Sequence, residues 1–306
     1  MSTKRILFLG RTDDRKEFDT SWSMVDKMKA YAGSSISYES CNIEDLVFTY
    51  DGQLLQITNG VTSQNLDEFD AIFLLGWFKI RMFEDIVMAV ARYADRQGIK
   101  ILNPEALHMR SRSKLSQYVI AAMHDLHATP FIFVADSRYA ESALKTAGMS
   151  YPLIVKSTIA SRGRDNYLVK TRQEFLDVFA NQPELMFVVQ TFVPNDGDYR
   201  LLVMGDTVRL GIHRKSASDS HINNTSQGGV ATIIDLASLN PGMLADAVKI
   251  SQLIRRDVTG VDMIIHQETG EYYLLEANNM PQLSTGSMVE EKMKILDGYL
   301  AEWLES

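Results

Sequence analysis

The segment GVDMIIHQETGEYYLLEANNMP, residues 260–281, carries two carboxylates and a carboxamide at a spacing that suits a hard cation. Alternation over residues 273–278 puts Glu276 and Asn278 on one face of a strand, because side chains two apart share a face. Asp262 lies on the strand before it. Either acid alone reads more simply as part of a solvated hairpin face. Both sit inside apolar runs, however, where an unpaired carboxylate is costly, and a shared cation removes that cost. Mg²⁺, which prefers oxygen ligands and shares phosphate oxygens, suits this donor set.

The two acids meet only in one hairpin register. A two-residue loop at Thr269-Gly270 sets Asp262 opposite Ala277 and turns Glu276 and Asn278 to the other side of the sheet. A three-residue loop, Glu268-Thr269-Gly270, pairs Gln267 with Glu271 and sets Asp262 opposite Glu276. Its third position favours glycine at positive φ. The sequence therefore predicts that loop, with a bulge elsewhere in the hairpin as the other route to the same pairing.

Basic residues cluster around this segment. Lys156 ends the apolar run PLIVKS, so its ammonium either points inward to an anion or snorkels to the surface. After it, TIASRGRDN brings Arg162 and Arg164 into a loop of small residues that can lie over phosphates, or simply be a surface loop. Gln190, Thr191 and Val193 end the run MFVVQTFV, where backbone groups can meet a heterocycle edge. Asp198 and Arg200 share a strand face, and Arg214 ends the partner strand beside a polar loop containing Asn224. An arginine fork there suits a phosphoryl or acyl-phosphate oxygen. As isolated residues, Asp198 and Arg200 read as a surface pair worth under about 1 kcal/mol. Lys114 starts a helix on the face away from Leu115, Val119 and Ala122, which by composition alone faces solvent.

These residues need a scaffold of alternating elements. Strands at 4–10, 35–39, 71–75 and 100–102, with helices at 21–32 and 83–96, predict an open, largely parallel α/β sheet in the first hundred residues. Segments 47–50 and 54–58 form a hairpin around Asp51-Gly52. After Pro104 the pattern changes to paired strands with fewer helices: a helix over 112–126, strands at 130–135, 153–157, 167–170 and 186–193, and helices over 137–147 and from 172. A long hairpin spans 199–215, residues 216–229 form a polar loop, and a strand at 230–234 and a helix from Pro241 precede the 261–277 hairpin and a terminal helix. That predicts two lobes of antiparallel α+β structure.

With 306 residues, 45% hydrophobic and 23% charged, the chain has enough apolar material for two or three cores. The net charge of −8 and the interleaving of acids with Lys and Arg argue against a nucleic-acid partner, since duplex binding neutralises many phosphates. Cys41 is the only cysteine, which leaves no internal disulfide and no multi-cysteine zinc site. No apolar run approaches a signal peptide or a membrane span, so the expectation is a cytoplasmic protein with no membrane partner, and a homo-oligomer is left open.

In order along the chain, Lys114 in RSRSKL, Lys156 in LIVKS, VVQTFV, the DYR of residues 198–200, the HRK ending at Lys215, NNTSQGG, GVD and LLEANNMP resemble the motifs of ATP-grasp enzymes. The likeness is to the RimK-like and glutathione synthetase-like carboxylate-amine ligases, over residues 75 to 300. It implies an α/β amino-terminal domain (1–104) followed by a two-lobed α+β ATP-grasp fold (105–306, lobes 105–190 and 191–306). It implies ATP as cofactor, with Lys114 and Lys156 on its phosphates, Gln190, Thr191 and Val193 around adenine, Asp198 at the ribose and Asn224 near the γ-phosphate. Asp262, Glu276 and Asn278 would bind two Mg²⁺, with Mn²⁺ the alternative ion, and Arg200 and Arg214 would hold the reacting carboxyl-phosphate. Thr191 stands where the family usually has Glu, and Ser220-His221-Ile222-Asn223 replaces its acidic residue and arginine. The resemblance implies amide formation through an acyl phosphate on an amino acid, peptide or protein. A kinase on the same frame, or a nucleotide-binding module without activity, are the rival readings.

Overall fold

The computed structural model describes residues 3–10, 19–75, 81–104, 107, 113–158, 165–215, 230–279 and 281–306. The first strand, β1 (Arg5–Gly10), is apolar on both faces and therefore needs cover on both. It is followed by α1 (Ser21–Tyr31), β2 (Ser37–Asn42), the hairpin strands β3 (Leu46–Tyr50) and β4 (Leu55–Asn59), β5 (Ala71–Leu74), α2 (Arg81–Gln97) and β6 (Lys100–Leu102). The parallel sheet runs β2-β1-β5-β6. Ile6, Phe8 and Phe73 pack under α1, while Leu7, Leu9, Ile72 and Leu74 pack under α2. β2 reaches Asn42, beyond the expected 35–39, because its polar end pairs with Leu9 and Gly10 and is buried there.

The second unit contains α3 (Lys114–Met123), β7 (Phe131–Phe133), α4 (Ala140–Thr146), β8 (Leu153–Ser157), β9 (Asn166–Val169), α5 (Arg172–Asn181) and β10 (Phe187–Thr191). Its sheet is antiparallel in the order β7-β10-β8-β9, and Val155, Phe187 and Val189 meet Leu144 and Phe175 of α4 and α5.

The third unit contains β11 (Asp198–Met204), β12 (Thr207–Lys215), β13 (Val230–Ile234), α6 (Pro241–Leu253), β14 (Val258–Ile265), β15 (Tyr272–Asn278) and α7 (Val289–Glu305). The strand order is β13-β12-β11-β14-β15, all antiparallel. One face buries Leu201, Val203, Val261 and Met263 under Met243, Ala247 and Ile250 of α6. Helix α7 returns to pack beside α1, so one apolar cluster joins Phe8 of the first unit to Leu202, Ile212 and Leu296 of the third. Among the described residues no helix is long and apolar enough to cross a membrane.

Candidate active site

The face of the five-stranded sheet away from α6 carries Asp198, Arg200, Arg214, Asp262 and Glu276. Strand register places Arg214 opposite Asp198, Arg200 opposite Asp262, Asp262 opposite Glu276 and Gly260 opposite Asn278. Asp198 and Arg200 are thus not a surface pair with each other; each meets a buried partner across the ladder. Arg214 Nε and Nη2 donate to the two Asp198 oxygens at 2.6 and 2.8 Å. Arg200 Nε and Nη2 donate to the two Asp262 oxygens at 2.8 Å each. Arg214 Nη2 also lies 3.1 Å from Asp262 Oδ2, and Asn278 Nδ2 donates to that oxygen at 3.1 Å. Burial alone would raise the Asp262 carboxyl, but Arg200 and then Arg214 overcome it and hold the carboxyl down at about 2. Asp198 is hydrogen-bonded by Arg214, and burial, joined by the charge of Asp262, outweighs Arg214 and the more distant Arg200 and pushes it up to about 6.

The loop expectation is half right. Gly270 has φ +72, as a left-handed position requires, and Asp262 faces Glu276. The loop, however, is not Glu268-Thr269-Gly270. His266 N donates to Glu271 O at 2.8 Å, which leaves four residues, 267–270, between them. That even loop would slip the acids out of register. A bulge between Asp262 and Met263, opposite Leu275, restores the pairing.

Helix α3 makes that bulge tenable. The expected amphipathic face is reversed: Gln117, Tyr118 and Ala121 are buried, and Val119 and Met123 are exposed. The polar face turns inward because β15 is an edge strand whose backbone needs partners. Gln117 accepts from Ala277 N at 2.8 Å and donates to Ala277 O at 3.1 Å. The Tyr118 hydroxyl donates to the bulged Leu275 carbonyl. Neither contact has a signature in hydrophobic periodicity, which is why both residues were missed.

The same rotation corrects Lys114, read by composition as solvent-facing. Its ammonium lies 3.1 Å from Glu276 Oε2. Burial raises the Glu276 carboxyl, and Lys114 with Lys156 more than reverses it, so the net shift is downward. Lys156 is buried and does not snorkel; its ammonium sits 5.0 Å over the Tyr118 ring. Burial first, and then the charge of Lys114, lowers it to about 7. Gln190 shares the sheet face of Lys156, and its Nε2 donates to Thr129 Oγ1 at 2.7 Å. Thr191 N donates to Pro130 O at 3.2 Å, and the Val193 carbonyl accepts from Asn195 Nδ2 at 2.8 Å. Asn224, Arg162, Arg164 and His221 lie outside the described residues.

Gly260 explains why the motif begins with glycine. A Cβ there would stand 2.5 Å from Pro281 Cβ, so only glycine lets the segment after β15 fold back over β14. That segment brings in a residue the sequence reading passed over: Gln282 Oε1 accepts from Arg200 Nη1 at 3.1 Å.

A buried and a half-buried carboxylate in register, an adjacent carboxamide and a surrounding shell of ammonium and guanidinium groups suit a magnesium-bound polyphosphate. A family model for the RimK-like ATP-grasp domain matches residues 111–304, and the chain belongs to that family. It is accordingly an ATP-dependent ligase that joins a carboxylate to an amine. A probable α-L-glutamate ligase of Citrobacter koseri is 29% identical over 222 residues, 71% of each chain. A ribosomal protein bS6–L-glutamate ligase of Escherichia coli is 28% identical over the same length and share. In fold the chain is similar to the ATP-grasp ligase PsnB, complexed with precursor peptide PsnA2 and AMPPNP, at a TM-score of 0.70 and 14% identity, covering 98% of both chains.

Proposed function

We propose that this face activates a carboxylate as an acyl phosphate and passes it to an amine, with a peptide or protein as one of the two partners. The observation that carries the reading is the in-register Asp262–Glu276 pair flanked by the guanidiniums of Arg200 and the buried Arg214. What supports a peptide or protein partner is that one relative is named for ligating glutamate to ribosomal protein bS6 and that PsnB is complexed with a precursor peptide.

The donor set fits a hard divalent ion. Asp262, Glu276 and Asn278 supply oxygens from adjacent strands, and the cations of Lys114, Arg200 and Arg214 now balance the carboxylates' charge. Among the described residues no three His, Cys, Asp or Glu converge, so the remaining ligands would be water and phosphate oxygens. These three residues would hold two Mg²⁺, or Mn²⁺ in their place. When bound, the ions supply charge neutralisation at the phosphates.

The chain's own residues do the rest. The substrate carboxylate oxygen attacks the γ-phosphorus of ATP, and ADP leaves. Lys114 and Lys156 bind the phosphates as point charges, while Gln190, Thr191 and Val193 border the adenine. Arg200 and Arg214 orient the carboxyl-phosphate by planar double donation. Asp198, whose two oxygens both accept from Arg214, aims that guanidinium and keeps lone pairs with which it would meet the ribose. The amine then attacks the carbonyl carbon, the tetrahedral intermediate expels phosphate, and the amine proton leaves to solvent. Positioning and charge carry the catalysis, and no protein nucleophile is needed.

The test is incubation with ATP, Mg²⁺ and pooled amino acids and peptides, with and without hydroxylamine, read by mass spectrometry. A hydroxamate or amide product is expected. A phosphorylated alcohol with no amide would replace the ligase with a kinase.

A further inference from the structure

The segment following the metal strand is clamped from two sides by opposite charges. Asp19, at the start of α1 in the amino-terminal unit, accepts from Leu283 N at 2.6 Å and Ser284 N at 2.8 Å. It also accepts from Ser284 Oγ at 2.9 Å and Thr285 Oγ1 at 3.2 Å. From the other side, Lys292 of α7 donates to the Gln282 carbonyl and, at 2.8 Å, to the Thr285 carbonyl. Both clamping side chains are buried. Between them Gln282 takes φ +59, a left-handed conformation uncommon for a residue with a side chain and found where the surroundings impose it. Pro281 seats the entry to the segment against Gly260. The net effect is to deliver one group, Gln282 Oε1, to Arg200 Nη1 at 3.1 Å, on the guanidinium edge that Asp262 leaves uncovered.

We infer that Gln282 is a positioning residue that completes the orientation of Arg200, and that Asp19 and Lys292 hold it in place, so that the amino-terminal unit acts on the reaction centre of the third. Asp262 alone grips one edge of the guanidinium, which leaves the plane free to pivot about that edge. A second acceptor on Nη1 stops the pivot. The remaining N–H directions then point to where phosphoryl charge develops. The inference rests on the reading that Arg200 touches the transferring phosphoryl group.

The probe is ADP with Mg²⁺ and aluminium fluoride, which mimics that group and needs no knowledge of the acceptor. Arg200→Lys serves as the reference, and affinity for ADP alone and thermal melting serve as controls. Gln282→Met should weaken capture of the aluminium fluoride complex about tenfold, the scale of a lost hydrogen bond to a charged group. ADP affinity should stay within about twofold, and Gln282→Glu, which keeps the acceptor oxygen, should restore capture. Asp19→Asn should lower capture in the same direction with ADP affinity unchanged. If Arg200→Lys weakens capture and Gln282→Met does not, the inference is overturned while the site reading stands. A proportional loss of capture, ADP affinity and melting temperature would make Gln282 merely structural and overturn it too. Unaltered capture in Arg200→Lys would remove the reading of Arg200 itself, and this inference with it.

Discussion

The two antiparallel sheets that flank the proposed reaction centre handle charge in opposite ways. On the five-stranded sheet, Asp198, Arg200, Arg214 and Asp262 pair across adjacent strands, so a largely buried polar network is nearly neutral before any ligand arrives. On the four-stranded sheet, Lys156 is buried beside an aromatic ring with a second ammonium, Lys114, near enough to lower its proton affinity. The first arrangement costs little to keep and holds geometry. The second is poised to gain from a polyanion, because phosphate oxygens supply the charge that burial withholds. Geometry and affinity are thus built into different sheets.

Breaking the neutral network should have the largest effect. Asp262→Asn leaves two guanidiniums short of a counter-charge in a buried site, and breaking a buried pair in this way costs roughly 3–5 kcal/mol. The melting temperature and turnover should fall together, as checked by calorimetry and product formation. Wild-type stability in this variant would mean that the network is not self-supporting. Glu276→Gln is the sharper probe, because Lys114 keeps a carboxamide oxygen to meet. Turnover should fall by roughly 10² with the fold intact, the scale of losing a preorganised electrostatic contact at the transferring group. Near wild-type turnover would remove Glu276 from the site.

The charge-starved sheet is broken by pH. Lys156, lowered to about 7, is mostly neutral in the free protein above that value. Bound phosphate favours the ammonium and raises its pKa, so binding at pH 8 takes up a proton. The sign follows: ADP affinity falls as pH rises above about 7, by up to about tenfold per unit. Titration calorimetry at pH 8 in two buffers of different ionisation enthalpy should show uptake approaching one proton. Lys156→Arg, whose guanidinium stays charged, should flatten the dependence. If the wild type shows no uptake, Lys156 is already charged before phosphate arrives.

Strand alternation made Glu276 and Asn278 legible, because period two is a property of the chain itself. Lys156 was legible as an inward ammonium from the apolar run it ends, but Lys114 was legible only through motif order: it reads as a surface residue until α3 is known to turn its polar face inward. That face is set by what the β15 edge lacks, namely partners for the Ala277 and Leu275 backbone groups, and no local pattern records such a need. Gln282 and Asp19 escaped for a similar reason, since Asp19 reaches the backbone next to Gln282, at Leu283, only because the first unit and the third share a core around α7. The parallel sheet of the first unit was plain from its apolar runs, while β2 was misplaced at its polar end, where pairing with Gly10 outweighs composition.

The misread hairpin loop supplies the smallest and most discriminating test. Two devices could hold Asp262 opposite Glu276: the turn at Gly270, or the bulge at Leu275 with Tyr118 on its carbonyl. Gly270 has open space around its Cβ direction, so alanine there meets no atom and pays only for the left-handed backbone, about 1–2 kcal/mol. If the bulge sets the register, Gly270→Ala should lower stability by that amount and leave turnover and magnesium dependence unchanged. Tyr118→Phe should change both stability and magnesium dependence. It strands the Leu275 carbonyl at a cost of about 1–3 kcal/mol and loosens the facing carboxylates, raising the magnesium concentration needed for half-maximal turnover. Should Gly270→Ala shift the magnesium requirement while Tyr118→Phe leaves it alone, the turn and not the bulge aligns the two acids.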